Sequence, residues 1–392
     1  MTKSAVIGFS RHWDGREAAR QAVQSALDQL GNSRPALALL SVSQDYTAAD
    51  VLQAAGNLLG NVPVWGFHTT CPLSAEGEQP RTVGVALIAG SGYKASINWW
   101  PNFVQDGHGV ATQFARVVRT QTGNTQGILL AADGVNGDAS LLCESIDQMN
   151  LHVAGGLASG DYRSGRTICI GGNHAGSGAL SALLLGGRLR LGLGQAHGWK
   201  DTGWLWKVTR VRDLWVQGLD DKSPAAALSE VLGYPEKDWF SPPLSEYVRL
   251  YPLGIETDGR KSLLLRSPLR VEVDGNLRMN SHIAEGKMAH LMVGDPAACQ
   301  TALKTAADEA VRSLGSAAPL LGILLVDEAW RTLLEGHSGP IYEQLQATLP
   351  GVPWIGGYTL GQLGWPATGS VSSQLVNQHA LIALIGDAEA QS

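Results

Sequence analysis

The segment Gly322-Ile323-Leu324-Leu325 belongs to the pattern that decides the fold. It is apolar on both faces, which is typical of a strand buried inside a sheet. Two similar segments occur upstream, Leu37-Ala38-Leu39-Leu40 and Gly127-Ile128-Leu129-Leu130. Repetition of this kind indicates repeated structural units.

The residues that flank the three segments extend the similarity. Each segment is followed by a stretch of helical length, at 47–59, 138–149 and 338–349. Each stretch is followed by a second apolar run that ends at a glycine, namely Gly66, Gly155 or Gly356. Upstream, three further apolar runs each precede a helical pattern, at 5–8, 95–99 and 289–293. We therefore predict an α/β protein with diverged repeats of a strand–helix–strand–helix–strand module and mixed sheets, one arrangement being a layered α/β/β/α stack.

The repeats predict how the chain is divided. Two module copies, 1–92 and 93–187, form a first domain over 1–190. A third copy over 287–392 follows a divergent, β-rich stretch at 188–286, and together they form a second domain over 191–392. The divergent stretch reads either as a fourth copy or as an insertion. Its tryptophans are expected to fill a core between sheets or to mark a surface for a partner: Trp199, Trp204, Trp206, Trp215 and Trp239.

Composition narrows the classes of function. The chain has 392 residues, of which 44% are hydrophobic and 16% charged, enough to bury a large core. The net charge is −6 and no basic run occurs, which argues against a nucleic-acid partner. No apolar run has the roughly 20 residues that span a bilayer. The four cysteines form no Cys-x-x-Cys pair, so we expect no metal site. Together with the short apolar runs, this predicts a cytoplasmic location without membrane insertion, and we expect no cofactor.

Candidate binding residues cluster in the turns after the three glycines. Ligands of α/β sheets bind at the carboxyl ends of strands, where small residues let the backbone approach and hydroxyl groups direct hydrogen bonds. The alternative is that the glycines only turn the chain. The predicted ligand-binding residues are Gly66, His68, Thr69, Thr70, Gly155, Gly156, Ser159, Asp161, Arg331, Gly356, Tyr358, Thr359 and Gln362.

The order of several short motifs resembles the FIST family, in which FIST N and FIST C domains lie in tandem. The segment His197-Gly198-Trp199, followed by Gly218-Leu219-Asp220, resembles the junction into the FIST C domain, and Gly357-Tyr358-Thr359 with Gly361 resembles its signature. The resemblance implies a sensory protein that binds an amino acid or related metabolite and signals through a partner protein.

The chain departs from the family pattern at positions that bear on ligand binding. At the first turn His68 replaces serine, Cys71 replaces glycine and Pro72 replaces glutamate. At the last turn Gln362 replaces glutamate, and Glu328 stands where the family has a cysteine. A ligand that the family holds through those acids would therefore bind differently here.

Two charged residues suit the two ends of an amino acid. Arg331 can hold a carboxylate through two hydrogen bonds, and Asp161 can accept an ammonium group. The alternative for Arg331 is a surface ion pair.

Two other functions stay open. A hydrolase or transferase would use Cys71 as nucleophile with His68 nearby, although a buried, inert cysteine is the commoner situation. A non-catalytic scaffold would expose a large apolar surface. The absence of a nucleophile elbow, a phosphate loop and a zinc-protease motif favours a protein that is not an enzyme.

Overall fold

The computed structural model describes residues 4–121, 123–146, 149, 151–257, 263–335, 339–365 and 374–389. Helices and strands alternate along much of the chain, and the strands form several mixed sheets. This confirms the predicted α/β class. Ser338, the predicted start of a helix, lies outside the described residues.

The first unit is a four-stranded sheet with two helices. Its strands run in the order β1-β6-β2-β3, and only the β2–β3 pair is parallel. Asp14 caps the first helix by accepting a hydrogen bond from the amide of Glu17. The elements are β1 (Ala5–Ser10), α1 (Gly15–Leu30), β2 (Pro35–Ser43), α2 (Ala48–Leu59), β3 (Val64–Thr69), β4 (Pro72–Ser74), β5 (Gly77–Glu78) and β6 (Val83–Ala89).

The second unit has the same order and strand directions, β7-β12-β8-β9. Of the stretch predicted as helical over 138–149, the described helix covers Ser140–Ser145. The elements are β7 (Tyr93–Trp100), α3 (Gly107–Gln121), β8 (Thr125–Ala132), α4 (Ser140–Ser145), β9 (Val153–Ala158), β10 (Ile168–Gly171), β11 (His174–Ser177) and β12 (Leu180–Gly187).

A third set of four strands again shows this arrangement, but it is assembled from distant segments. It begins with β13 (Leu189–His197), and a separate sheet intervenes before the chain returns to it. The strands of that seven-stranded sheet are β14 (Trp199–Arg212), β15 (Trp215–Leu219), β16 (Leu253–Ile255), β17 (Leu264–Arg266), β18 (Pro268–Val271), β19 (Leu277–Met279) and β20 (Met288–Gly294). Two helices lie between β15 and β16 in the chain, α5 (Pro224–Leu232) and α6 (Leu244–Tyr247).

The third set then continues with a long helix and three further strands that pair in the order β13-β24-β21-β22. The segment 289–293, which the pattern assigns to this unit, instead pairs within the seven-stranded sheet. The elements are α7 (Pro296–Leu314), β21 (Ala318–Asp327), α8 (Glu328–Leu333), α9 (Gly339–Thr348), β22 (Trp354–Trp365), β23 (Leu375–Val376) and β24 (His379–Asp387).

The three four-stranded sets pack around one apolar core. Their inner faces meet in a common cluster that includes Leu39, Leu129 and Ile323, while helices cover the outer faces. Neighbouring sets are joined by strand pairing in a ring: β4 pairs with β22, β22 pairs with β9, and β10 pairs with β3. The sheets therefore form a nearly closed, barrel-like structure.

The glycine that follows each second apolar run has a packing reason. A Cβ atom at Gly66 would lie 2.3 Å from the carbonyl oxygen of Leu40, and one at Gly155 would lie 2.3 Å from that of Leu130. At Gly356 the corresponding distance, to Leu324, is 2.0 Å. Each glycine therefore lets two parallel strands approach more closely than any side chain would permit.

A left-handed residue precedes the last strand of each set. These residues are Arg81, Gly178 and Gln378, with φ angles of 50°, 70° and 64°. The backbone turns in the same way at all three positions, although only one of them is a glycine.

Candidate functional site

The turns after the three glycines meet at one end of the barrel. The hydroxyl groups of Thr69 and Ser159 both donate to the carbonyl oxygen of Tyr358, at 3.0 and 2.8 Å. The amide of Thr70 donates to Ser159 Oγ at 3.0 Å. The structure therefore brings together residues from β3, β9 and β22 that lie far apart in the sequence.

A buried carboxylate faces these turns. Glu328 is the first residue of α8, and its Oε2 accepts a 2.6 Å hydrogen bond from Thr70 Oγ1. Burial raises the pKa of the Glu328 carboxyl above its usual value, against the opposing influence of Arg249, Thr70 and Arg331. An acid in this environment is a strong hydrogen-bonding group that solvent does not screen.

The residues around this carboxylate form a polar cluster, which consists of Thr70, Glu78, Arg249, Asp327, Glu328, Arg331, Tyr342 and Tyr358. Arg331 lies between two acids on its more exposed side. Its Nη1 is 3.7 Å from Glu328 Oε1, and its Nε is 3.5 Å from Glu78 Oε2. Tyr358 donates a 2.7 Å hydrogen bond to Glu78 Oε1, and its hydroxyl is 2.9 Å from that of Tyr342. The side chain of Arg331 is 37% exposed, so this face can be reached from solvent.

A second acid, Asp327, is fully buried and holds the backbone together. Its Oδ1 accepts from the amide of Ala329 at 3.1 Å, and its Oδ2 accepts from the amide of Gln378 at 2.9 Å. Burial raises the pKa of the Asp327 carboxyl, while Arg249, whose Nη2 is 3.8 Å from Oδ1, acts in the opposite direction. Asp133 in the second unit makes the equivalent bond to the amide of Gly178, so this role is structural.

Three other predicted residues take part in internal hydrogen bonds. His68 Nε2 is 2.9 Å from the carbonyl oxygen of Tyr46, and burial lowers the pKa of its imidazole to about 4. Gln362 Nε2 donates to Thr359 Oγ1 at 2.8 Å, and Thr359 Oγ1 donates to the carbonyl oxygen of Val326 at 3.3 Å. These groups support the walls of the cluster. Gly156 lies beside them, where a Cβ atom would be 2.6 Å from Thr359 Cγ2.

Asp161 and Arg331 make separate sets of contacts. Asp161 begins the short turn at 162–164, accepting from the amide of Ser164, and it pairs with Arg166 at 3.3 Å. Its side chain is 44% exposed. Among the described residues no contact joins Asp161 to Arg331, so the expected pair of ligand-holding charges is not assembled in this geometry.

The geometry does not support the catalytic alternative. Burial raises the pKa of the Cys71 thiol to about 12, and its Sγ contacts the carbonyl oxygen of Pro72 at 3.5 Å. His68 is engaged with Tyr46 and is neutral over most of the pH range. A cysteine nucleophile needs a lowered pKa and a base in contact with it, and neither condition is met here.

Of the five tryptophans in the intervening stretch, Trp206 and Trp239 lie in the core of the seven-stranded sheet, and Trp199 lies in a core that it shares with Trp330. Trp199, Trp206 and Trp239 are buried, whereas Trp204 is 48% exposed beside Leu205. The expectation that they fill a core therefore holds for three of the five, since Trp204 is exposed and Trp215 is only partly buried.

A surface groove of about 990 Å³ lies away from the polar cluster. It is lined by α2, by Trp99 of β7 and by His174 of β11, and the predicted ligand-binding residues do not line it. The polar side chains of its lining are amides, one imidazole and one hydroxyl. We take the cluster as the candidate site because it gathers the buried charged groups.

Sequence reasoning missed several members of the cluster. Glu78 and Arg249 lie in segments of two and three residues, and Tyr342 lies on helix α9, and none of them is part of a local motif. For Glu328 the sequence offered one indication of a role in the site, because this residue occupies a position where the family has a cysteine.

Two general features concern the described part of the chain only. Within it, no three histidine, cysteine or acidic side chains are arranged to hold a metal ion. No helix there is long and apolar enough to cross a membrane.

Relatives in sequence, solved structures and family models each show similarity to this chain. Two uncharacterized mycobacterial proteins resemble the chain along most of its length. The protein from Mycobacterium tuberculosis is 26% identical over 371 residues, covering 91% of this chain and 94% of its own. The one from Mycobacterium bovis is 24% identical over 372 residues, covering 91% and 93%.

Among solved structures, a cyanuric acid hydrolase from A. caulinodans matches with a TM-score of 0.38 and 7% identity, over 98% of this chain and 99% of that one. A chorismatase matches with a TM-score of 0.35 and 10% identity, over 98% of both chains. Similarities this weak carry no argument about activity.

Family models give the decisive match. The FIST N domain model matches residues 36–222, and the FIST C domain model matches residues 224–364. FIST domains are generally sensory domains of signal transduction proteins. The chain belongs to the FIST family, with its FIST N and FIST C domains in tandem.

Proposed function

We propose that this protein senses an amino acid or a related metabolite at the polar cluster between its two FIST domains. The observation that carries the proposal is the contact between Thr70 of the FIST N domain and buried Glu328 of the FIST C domain, 2.6 Å apart. Arg331 and Glu78 extend this contact toward solvent.

The chemistry of the cluster suits a ligand with an acidic and a basic end. Carboxylates such as Glu328 and Glu78 accept hydrogen bonds from an ammonium group, and an arginine binds a carboxylate through two parallel bonds. Charged groups are expensive to bury, so several of them at a domain junction indicate a role beyond packing.

The position of the cluster offers a way to transmit the signal. A ligand that contacts both domains shifts the protein toward the domain arrangement that it binds more tightly. The size of the shift is set by the difference in its affinity for the two arrangements. We propose that a partner protein reads this change, because FIST domains are generally sensory domains of signal transduction proteins. The cytoplasmic location remains a prediction.

No specific observation favours either of the two alternatives, a hydrolase or transferase and a scaffold. The hydrolase would need a reactive Cys71, whose pKa is raised. The scaffold would need a broad apolar surface, whereas among the eight exposed large apolar side chains of the described residues only Trp204 and Leu205 are neighbours in the sequence.

The proposal is tested by thermal unfolding of the purified chain with each of the twenty common L-α-amino acids. A ligand present at 100 times its dissociation constant stabilises the protein by about 2.7 kcal/mol, which gives a clear rise in Tm. We expect Glu328→Gln to lose this response and Glu230→Gln, in an exposed ion pair with Lys222, to keep it. A wild-type chain that responds to none of them would overturn the proposal.

A further inference from the structure

Arg249 carries a buried charge that its surroundings do not satisfy. Its residue exposure is 4%, and among the described residues Nε, Nη1 and Nη2 have no hydrogen-bond partner. The nearby Asp327 Oδ1 is 3.8 Å from Nη2, beyond hydrogen-bond distance. A guanidinium group has five donors, and leaving them unpaired in a protein interior is strongly unfavourable.

The acids around Arg249 are already engaged by other donors. Both oxygens of Asp327 accept backbone amides, from Ala329 and Gln378. Glu328 directs Oε2 to Thr70. The arrangement therefore holds these acids beside Arg249 without using its donors.

An aromatic ring orients the guanidinium group. The Cζ atom of Arg249 lies 4.8 Å from the ring centre of Tyr162, which belongs to the turn at 162–164 in the FIST N domain. A cation over an aromatic face is held in position while its N–H groups remain available at the edge of the plane. Arg249 itself belongs to the FIST C domain, so this contact also crosses the junction.

The charges nearby select the class of ligand. Four acids lie with three arginines: Asp327, Glu328, Glu78 and Glu246 with Arg249, Arg331 and Arg163. An incoming anion alone would be repelled by the excess of acid, whereas a zwitterion would present its cationic end to a carboxylate.

We propose that Arg249, rather than Arg331, binds the α-carboxylate of a zwitterionic amino acid, and that Glu328 Oε1 accepts its ammonium group. This rests on the proposed function and assigns the anchoring residue within that site. Arg331 is half-exposed and lies between Glu78 and Glu328, so its charge is balanced without a ligand.

The test compares binding of the twenty common L-α-amino acids with binding of their carboxamides, by calorimetry. We expect wild-type protein to bind an amino acid at least about tenfold more tightly than its carboxamide. Arg249→Lys keeps the charge but loses the planar pair of donors, so it should lose about tenfold in affinity and most of this discrimination. Arg278→Lys is the matched control, since Arg278 is also buried over an aromatic ring, that of Trp215, and donates to the carbonyl oxygen of Val135 rather than contacting Asp327 or Glu328.

Each outcome separates this inference from the proposed function. Equal binding of acid and carboxamide, or a tenfold loss in Arg331→Lys but not in Arg249→Lys, overturns the inference and leaves amino-acid sensing in place. Absence of any amino-acid binding by the wild-type chain overturns both. If Arg249→Lys fails to fold, Arg331→Lys decides: unchanged affinity and unchanged discrimination between acid and carboxamide support Arg249 as the anchor, and a tenfold loss in Arg331→Lys overturns it.

Discussion

Thr70 Oγ1 lies 2.6 Å from Glu328 Oε2, so a hydroxyl group of the FIST N domain supports a buried carboxylate of the FIST C domain. The pairing partner is 258 residues away in the sequence. Stability of the folded chain and geometry of the candidate site therefore depend on the same contact.

Replacing Thr70 by valine keeps the side-chain shape and removes the hydroxyl group. The buried Glu328 carboxyl then lacks a donor, and we expect the free energy of unfolding to fall by about 1–3 kcal/mol. Urea unfolding measures the change, and Thr70→Ser, which keeps the hydroxyl, should retain most of the stability. A loss in Thr70→Val no larger than in Thr70→Ser would show that the bond contributes little.

The raised pKa of Glu328 predicts a pH dependence with a defined sign. Because the folded protein holds this proton more tightly, the stabilisation is fully present below the unfolded pKa of roughly 4.3 and is lost as the pH rises through the folded pKa. Glu328→Gln does not titrate, so the stability of the wild type relative to this variant should decrease as the pH rises above the unfolded pKa. Glu230→Gln is the control, and a relative stability that increases with pH would show that Arg249 and Arg331 dominate instead.

Much of the fold is predictable from local pattern because buried strands and amphipathic helices leave a periodic signal. The segments around Leu39, Leu129 and Leu324 are strands as predicted. The segment 289–293 is also a strand, but its partners could not be predicted, since pairing depends on residues far away. The role of β13, paired with β24 at the other end of the chain, has no local signal for the same reason.

The candidate site was predictable only where it follows the strand ends. Thr70, Ser159 and Tyr358 follow glycines in similar turns, and the structure brings them into contact. Arg249 lies in a single short turn of the intervening segment, and no spacing connects it to Asp327. Charged residues that meet through tertiary structure alone leave no pattern in one sequence.

The close strand approach at Gly155 predicts a large effect of a single methyl group. Its Cβ would lie 2.3 Å from the backbone oxygen of Leu130, which cannot move without disturbing the sheet. We expect Gly155→Ala to lower the free energy of unfolding by about 1–3 kcal/mol or more. Gly56→Ala, in α2 with open space around it, should instead raise it by about 0.5–1 kcal/mol. Chemical denaturation of both variants measures the contrast, and equal effects would contradict the packing argument.

Burial predicts that the Cys71 thiol is inert in the folded protein. Its pKa is raised to about 12 and its side chain is fully buried, so little thiolate forms and reagents have no access. We expect no labelling of Cys71 by a thiol reagent at pH 8 until the chain unfolds. A cysteine introduced at the 83% exposed Val273 provides the positive control. Labelling of Cys71 at the rate of that control would revive the cysteine-enzyme hypothesis.

His68 predicts acid sensitivity with the opposite sign to that of Glu328. Burial lowers the pKa of its imidazole to about 4, so its contribution to stability is present above the unfolded pKa of roughly 6.5 and is lost as the pH falls through the folded pKa. The full effect of such a shift is about 3 kcal/mol.

In His68→Gln the imidazole is replaced by an amide group, which can still donate to the carbonyl oxygen of Tyr46 but does not titrate. The stability of the wild type relative to this variant should therefore fall as the pH is lowered from about 7 to 4, as measured by urea unfolding at each pH. The other buried histidines, such as His379, titrate equally in both proteins and cancel from the difference. His108→Gln, at an exposed position, should show a constant difference. A constant difference for His68→Gln as well would mean that the folded protein accommodates the charged imidazole.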